Sequence, residues 1–251
     1  MASAMLESEG PESAVNAARR SIYDFLAGCF TRPPTPQDVA AVRSGDFRGV
    51  CAGLHRDDVR RTQVAPRPAS ESLSEIHLEF MNLLNVPGGK YLAPFESVYR
   101  DSREIEGQAV RGLLMGQSAV DVQKWYRLAA LDFESDCKEL PDHIGLELAY
   151  VAHLCRKEQD FEATGDAPRL SRAREMQRDF LAAHVDSWLG ALRDRLYDKS
   201  TSAHYRTIVD FALGFVRADL ASLERELGPS ARSSAPVYRA APAEGSSHEQ
   251  D

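Results

Sequence analysis

The sequence predicts an all-α protein, folded as a single compact helical domain, on three observations. Apolar residues recur at three- and four-residue steps along most of the 251 residues, capping signals precede several of those stretches, and no convincing run alternates as a half-buried strand does. With 43% hydrophobic residues the chain is able to bury one sizeable core, and its length does not call for a second domain.

Over residues 14–30, Val15, Ala18, Ile22, Phe25, Leu26 and Cys29 share one helical face. Arg32-Pro33-Pro34 ends that helix, because proline lacks the N–H and keeps the preceding residue out of helical geometry. Thr35-Pro36-Gln37-Asp38 reads as an N-cap, a first-turn proline and an acid at the third position, opening a short helix. Residues 45–70 are poorly periodic, include Pro66 and Pro68, and are expected to form short helical pieces and loop. Leu73, Ile76, Phe80, Leu83 and Leu84 make the next stripe, which stops at Asn85-Val86-Pro87-Gly88-Gly89. Two further helices are expected to start at Asp101, with Glu104 three residues on, and near Ser118, with Asp121 three residues on. The second presents Val122, Trp125, Tyr126 and Ala129 on one side.

Beyond residues 139–143, Ile144, Leu148, Val151 and Cys155 fall on one helical face. A long amphipathic helix over about residues 171–196 carries Met176, Phe180, Leu181, His184, Trp188 and Leu192. A last helix uses Tyr205, Ile208, Phe211, Phe215, Val216, Leu220, Leu223 and Leu227, and Gly228-Pro229 stops it. Residues 229–251 turn to Ala, Ser, Pro and Glu and are expected to be a disordered polar tail; residues 1–12 read as a disordered extension, which leaves 13–228 as the domain.

The formal net charge is −8 and the pI about 5.4, so no sequence-wide positive field exists to hold nucleic acid or an anionic membrane surface. No run approaches the roughly 18 apolar residues of a membrane span, and integral membrane association is not expected. The first 13 residues lack the basic start and apolar stretch of a secretory signal. Arg19-Arg20 followed by Phe25-Leu26 looks only superficially like a twin-arginine export signal, because residues 27–34 form no apolar stretch; the pair reads as solvated arginines on an amphipathic helix. Cys29, Cys51, Cys137 and Cys155 are widely spread with no C-x-x-C pair, which fits reduced thiols in a cytoplasm.

The chain has no phosphate-binding glycine loop, no G-x-S-x-G elbow and no H-E-x-x-H, which lowers the expectation of an enzyme. Cys137, His143, His153 and Cys155 match no usual zinc spacing, and Cys155 lies on an apolar stripe, so neither metal nor cofactor is expected. Two segments stand out. In residues 91–99, Tyr91, Phe95 and Tyr99 flank Pro94 and Glu96 directly after a Gly-Gly loop. In residues 139–143, Glu139, Asp142 and His143 surround Pro141, with Glu147 one turn on. On the residues alone, the first also reads as a loop whose aromatics pack, and the second as a helix start whose acids complement the helix dipole.

At these residues the sequence resembles the TorD/DmsD family, cytoplasmic maturation chaperones of molybdenum-containing reductases and dehydrogenases exported by the twin-arginine pathway. The family's E-x-P-D-H signature is matched by Glu139, Pro141, Asp142 and His143, and its P-[YF]-E-S-V-Y stretch by Pro94, Phe95, Glu96, Ser97, Val98 and Tyr99. An F-L-x-x-H-x-x-x-W run is matched by Phe180, Leu181, His184 and Trp188. The resemblance spans about residues 14–227 and departs at the N-terminal extension, at 45–70 and in the tail.

The resemblance implies a single TorD/DmsD-like domain, not an enzyme. Its partner would be the catalytic subunit of a molybdopterin-containing oxidoreductase, held by its signal peptide or N-terminal region until the cofactor is in place. A twin-arginine peptide offers two guanidinium groups and an apolar helix-forming stretch, so its receptor needs carboxylates beside an apolar groove. Charge-assisted bonds contribute about 1.5–3 kcal/mol each, apolar burial supplies the rest, and affinity near micromolar is expected after ordering costs. Glu139 and Asp142 are the candidate arginine partners and Glu96 a third. Tyr91, Phe95 and Tyr99 would line or support the apolar part, with Pro94 and Pro141 completing the peptide-binding set. His143 would donate to peptide carbonyls or hold Asp142. For each acid, a structural task such as capping stands equally open. Phe180, His184 and Trp188 read mostly as core. The competing functional readings are a nucleotide hydrolase, drawn from acids near a histidine and opposed by the missing phosphate loop, and a helical scaffold with no peptide groove. The assembly is expected to be a monomer or a domain-swapped dimer.

Overall fold

A computed structural model describes residues 11–57, 70–105, 108–129 and 139–230. Within them run ten α-helices: α1 (Pro11–Thr31), α2 (Pro36–Arg43), α3 (Gly45–Asp57), α4 (Leu73–Phe80), α5 (Glu96–Arg100), α6 (Gln117–Leu128), α7 (Ile144–Thr164), α8 (Ala167–Phe180), α9 (Asp186–Lys199) and α10 (Ala203–Leu227). A π-helical turn, Met81–Asn85, extends α4, and another, Leu181–Val185, joins α8 to α9. The all-α expectation holds, with one small exception. Ser102–Ile105 (β1) and Gln108–Arg111 (β2) pair antiparallel, Ser102 opposite Arg111 and Ile105 opposite Gln108.

That hairpin replaces the helix expected from Asp101. The Asp101 carboxylate serves another element: it accepts the Ser118 amide at 2.8 Å and the Ser118 hydroxyl at 2.7 Å, capping the first turn of α6. Gly116 is the residue before α6, and a Cβ there would overlap the Asp101 carboxylate, so the cap needs glycine at that position. The Thr35–Asp38 capping box of α2 is present as expected, and a second one, Ser72–Glu75, opens α4.

The frame is the antiparallel pair α1–α7, with α8 against α7 and α10 against α9, α3 and α8. Asn16 near the start of α1 donates to the Cys155 carbonyl far along α7 at 3.0 Å. At the opposite end a Cβ on Gly145 would overlap Thr31 and lie 3.1 Å from the Ala27 carbonyl oxygen, so glycine sets how closely the two helices approach. The aromatic centre holds Trp125, Tyr150 and Phe180, with Tyr150 and Phe180 ring centroids 4.5 Å apart and Trp125 and Phe180 5.8 Å apart. Each such side chain buries area worth about 2–3 kcal/mol, of the order that offsets the backbone ordering of one or two residues.

Three further readings change. Residues 45–57 form a full 13-residue helix, while residues 58–69 lie outside the described residues. The helix expected over about 171–196 starts earlier, at Ala167, and a π turn interrupts it before α9 runs on to Lys199. Of the two arginines read as solvated, only Arg20 is; Arg19 is largely buried, because α1 turns it toward Asp219 and Glu158, while Val15 is 61% exposed. The expected limits at 1–12 and 229–251 fall largely outside the described residues, as does Cys137. Burial pushes the Cys29 and Cys155 thiols up to about 12, which keeps both protonated. Among the described residues no helix is long and apolar enough to cross a membrane, and no cluster of three His, Cys, Asp or Glu is placed to hold a metal.

Candidate functional site

The two singled-out segments meet. The Glu96 amide donates to the Asp142 carbonyl at 2.9 Å, the Ile144 amide to the Pro94 carbonyl at 3.0 Å, and Phe95 and His143 form an isolated antiparallel bridge. The two loops therefore form one short antiparallel ribbon that delivers the chain into α5 on one side and α7 on the other. Ala93, just before it, has φ of 49°, a left-handed conformation that costs an alanine roughly 1 kcal/mol.

The side chains fasten the same junction. Asp142 Oδ2 accepts the Ser97 amide at 2.9 Å, which caps α5; His143 Nδ1 accepts the Gly145 amide at 3.0 Å, which caps α7. With Nδ1 an acceptor, the neutral imidazole carries its proton on Nε2, which lies 4.0 Å from Glu139 Oε2. Burial holds His143 down to about 4 and therefore neutral, and burial also raises the Asp142 carboxyl. Tyr126 donates to the Pro141 carbonyl at 2.7 Å, and Tyr99 to the Leu92 carbonyl at 2.7 Å.

Behind the junction lies a buried polar array. His184, placed by the π turn, faces Glu96 Oε2 through Nδ1 at 2.8 Å and Asp121 Oδ2 through Nε2 at 3.2 Å. Both ring nitrogens point at carboxyl groups, an arrangement that the doubly protonated imidazolium satisfies with two N–H donors. Burial alone would lower its pKa, but the bonds to Asp121 and Glu96 outweigh that and raise it. Arg100, one turn after Glu96, reaches Glu96 Oε1 and donates to the Ala183 carbonyl at 2.6 Å. The Trp188 indole N–H donates to Glu147 Oε2 at 3.0 Å. Burial and then the charge of Glu96 push the Glu147 carboxyl well above the ordinary range, which favours its neutral form.

Among the nine residues expected to bind peptide, Pro94, Phe95, Glu96, Pro141, Asp142 and His143 come together at the junction. Glu96 and Asp142 are completely buried there, and Phe95, edge-on to His143 at 5.3 Å, is 7% exposed. Glu139 is different: its side chain is 44% exposed. Tyr91 lies near it, its phenol raised by burial and by the Glu139 charge. Tyr99 stacks toward Trp188 at 5.1 Å, with the Arg195 guanidinium 5.4 Å from its ring. His184 and Trp188, read as core, are core by position but polar partners by role. The F-L-x-x-H-x-x-x-W spacing carried that information, and the four-residue step from Glu96 to Arg100 carried the other half.

A family model described as nitrate reductase delta subunit matches residues 50–194, which include both loops and the whole buried array. The chaperone protein TorD of Vibrio cholerae serotype O1 (strain M66-2) is 24% identical over 213 residues, covering 82% of this chain and 91% of the relative. That of Shewanella pealeana is 25% identical over 221 residues, covering 85% and 93%. That of Colwellia psychrerythraea is 22% identical over 226 residues, covering 80% and 90%. With a family model over more than half of the chain and relatives named chaperone protein, this protein is a chaperone and not an enzyme. The chain belongs to the TorD/DmsD family.

Proposed function

We propose that this chaperone acts in the cytoplasm on the catalytic subunit of a molybdenum-cofactor oxidoreductase. It binds the twin-arginine signal peptide or the N-terminal region of that subunit, supports cofactor insertion and prevents premature export. The observation that carries the reading is the rim of the junction: an accessible carboxylate, Glu139, beside the half-buried Tyr91 and Pro141, on loops that buried bonds hold in register. In this reading Glu139 meets a guanidinium directly and Tyr91 and Tyr99 receive apolar side chains. Phe95, Glu96, Asp142 and His143 position the two loops, with Pro94 and Pro141 fixing their turns. The domain is taken as 13–228, and removing 230–251 is expected to change stability by no more than about 1 kcal/mol.

Calorimetric titration with the client's twin-arginine peptide at two ionic strengths tests this. Glu139→Gln, or glutamines in place of the peptide's two arginines, should weaken binding about fivefold and flatten its salt dependence, since a partly exposed ion pair is worth about 1 kcal/mol and is screened. Tyr91→Ala should weaken binding with the salt response intact. Failure to bind any client peptide, signal or mature, would overturn the function. Sedimentation of the complex decides between a monomer and a domain-swapped dimer.

A further inference from the structure

Helix α3 lies over an apolar strip where α1 and α10 meet. Phe47, Cys51 and Leu54, at i, i+4 and i+7, form its half-buried face, while Asp46, Arg48 and Val50 are exposed. The Phe47 ring centroid lies 4.6 Å from that of Phe211 and 6.4 Å from that of Phe25, and Phe211 stacks toward Phe215 at 6.0 Å. Leu54 sits over Gly214, its Cβ 3.9 Å from where a Cβ on that glycine would stand. Phe25 on α1 and Phe211, Gly214 and Phe215 on α10 therefore make a groove shaped to hold a helix by three anchors.

The helix in that groove is weakly held. Gly49 and Gly53 are exposed, with nothing within 4 Å of an added Cβ, so close packing does not require glycine at either position. Each is about fivefold less favourable inside a helix than alanine, roughly 25-fold for the two together. A helix of 13 residues is not stable alone. Ser44 caps its first turn by accepting the Phe47 amide at 3.0 Å, but among the described side chains no hydrogen bond or ion pair ties α3 to α1 or α10. Apolar contact through Phe47, Cys51 and Leu54 is what seats it. Once α3 lifts, three phenylalanines face water, and another helix in its place restores their burial.

We propose that the Phe25–Phe211–Phe215 groove is a second binding surface of this chaperone, covered at rest by α3, which opens as a unit and gives way to an amphipathic helix of a client polypeptide. The incoming helix presents large apolar side chains at the spacing of Phe47, Cys51 and Leu54. This rests on the chaperone class alone, and not on the assignment of Glu139 to a guanidinium.

Cys51 reports the opening. Burial pushes its thiol up to about 11, so it reacts slowly with iodoacetamide while α3 is seated and readily once α3 is free. In the full chain, Cys51 labelling and amide exchange of α3, both followed by mass spectrometry, should run far ahead of amide exchange in α7. Gly49→Ala together with Gly53→Ala should slow both readouts roughly 25-fold. The probe for the groove is an amidated peptide of residues 44–57 carrying Gly49→Ala, Cys51→Ala and Gly53→Ala. It should bind saturably, speed Cys51 labelling of the protein, and lose about tenfold in affinity when it also carries Phe47→Ala. Its affinity for the Gly49→Ala, Gly53→Ala protein should fall by the same factor as the opening, and Glu139→Gln should alter none of these readouts. Exchange in α3 no faster than in α7 would overturn the proposal, as would the absence of saturable binding or equal binding of the Phe47→Ala peptide. A dimer that forms as protein concentration rises and dissociates on adding the peptide would give the groove to α3 of a second copy, and would overturn the client assignment.

Discussion

Asp142 accepts the Ser97 amide at 2.9 Å and so ties the E-x-P-D-H loop to the helix that carries Glu96, with its other oxygen buried and without a donor among the described residues. An acid so placed acts first as a cap. Asp142→Asn keeps an acceptor for Ser97 and should change stability by no more than about 1 kcal/mol. Asp142→Ala leaves a buried N–H unpaired and should cost about 1–3 kcal/mol. Denaturant unfolding of the two variants checks this, and equal losses would mean that the charge, not the acceptor, matters.

The Asp101–Gly116 pair makes a second test. Asp101→Ala removes the cap of α6 and should cost about 1–2 kcal/mol. Gly116→Ala drives the same carboxylate away and should cost a similar amount. Because both act on one contact, the double variant should lose clearly less than the two losses added together. Strict additivity would separate them.

These two acids also mark where the sequence stops being legible. Asp101 with Glu104 has the form of a local capping box, but the amide it caps is 17 residues away, and nothing in a local pattern reports that. The hairpin strands are four residues each, too short for alternation to stand out, and Gly107 in the connection is the only turn signal. Where the stripe is long, periodicity is reliable: Ile144, Leu148, Val151 and Cys155 are all fully buried. At the site, the motif residues could be recognised but not their depth. Glu139 and Asp142 are three residues apart, one largely open and the other sealed by the Ser97 bond. Arg19 and Arg20 differ in the same way, since adjacent helical positions are about 100° apart and only one reaches Asp219.

Glu147 gives a third prediction. Its folded pKa lies well above the ordinary 4.5, so above about pH 4.5 the unfolded chain releases a proton that the folded chain keeps, and stability falls as pH rises toward the folded value. Glu147→Gln keeps an acceptor for the Trp188 indole and removes that fall. The variant should gain stability over the parent as pH increases from 4.5 to 7, measured by urea unfolding, whereas a constant difference across that range would show that Glu147 ionises normally.

The histidines pull the other way in acid. His143 and His204 are buried, and burial holds each down to about 4 against an ordinary 6.5; neither ring nitrogen of His204 has a partner among the described residues. Between pH 6.5 and 4 the unfolded chain takes up protons that the folded chain refuses, so stability falls as pH falls, by up to roughly 3 kcal/mol per histidine at pH 4. His184 has the opposite sign, since its raised pKa adds stability that is present below 6.5 and lost as pH climbs through the folded value. His204→Phe preserves an aromatic ring against Tyr205, removes two unpaired nitrogens and deletes one titrating group. Its stability at pH 7 should match or exceed the parent's, and its loss between pH 6.5 and 4 should be visibly shallower. Urea unfolding across that interval measures the slope directly, and an unchanged slope would mean that the His204 ring is reached by water and titrates at its ordinary value.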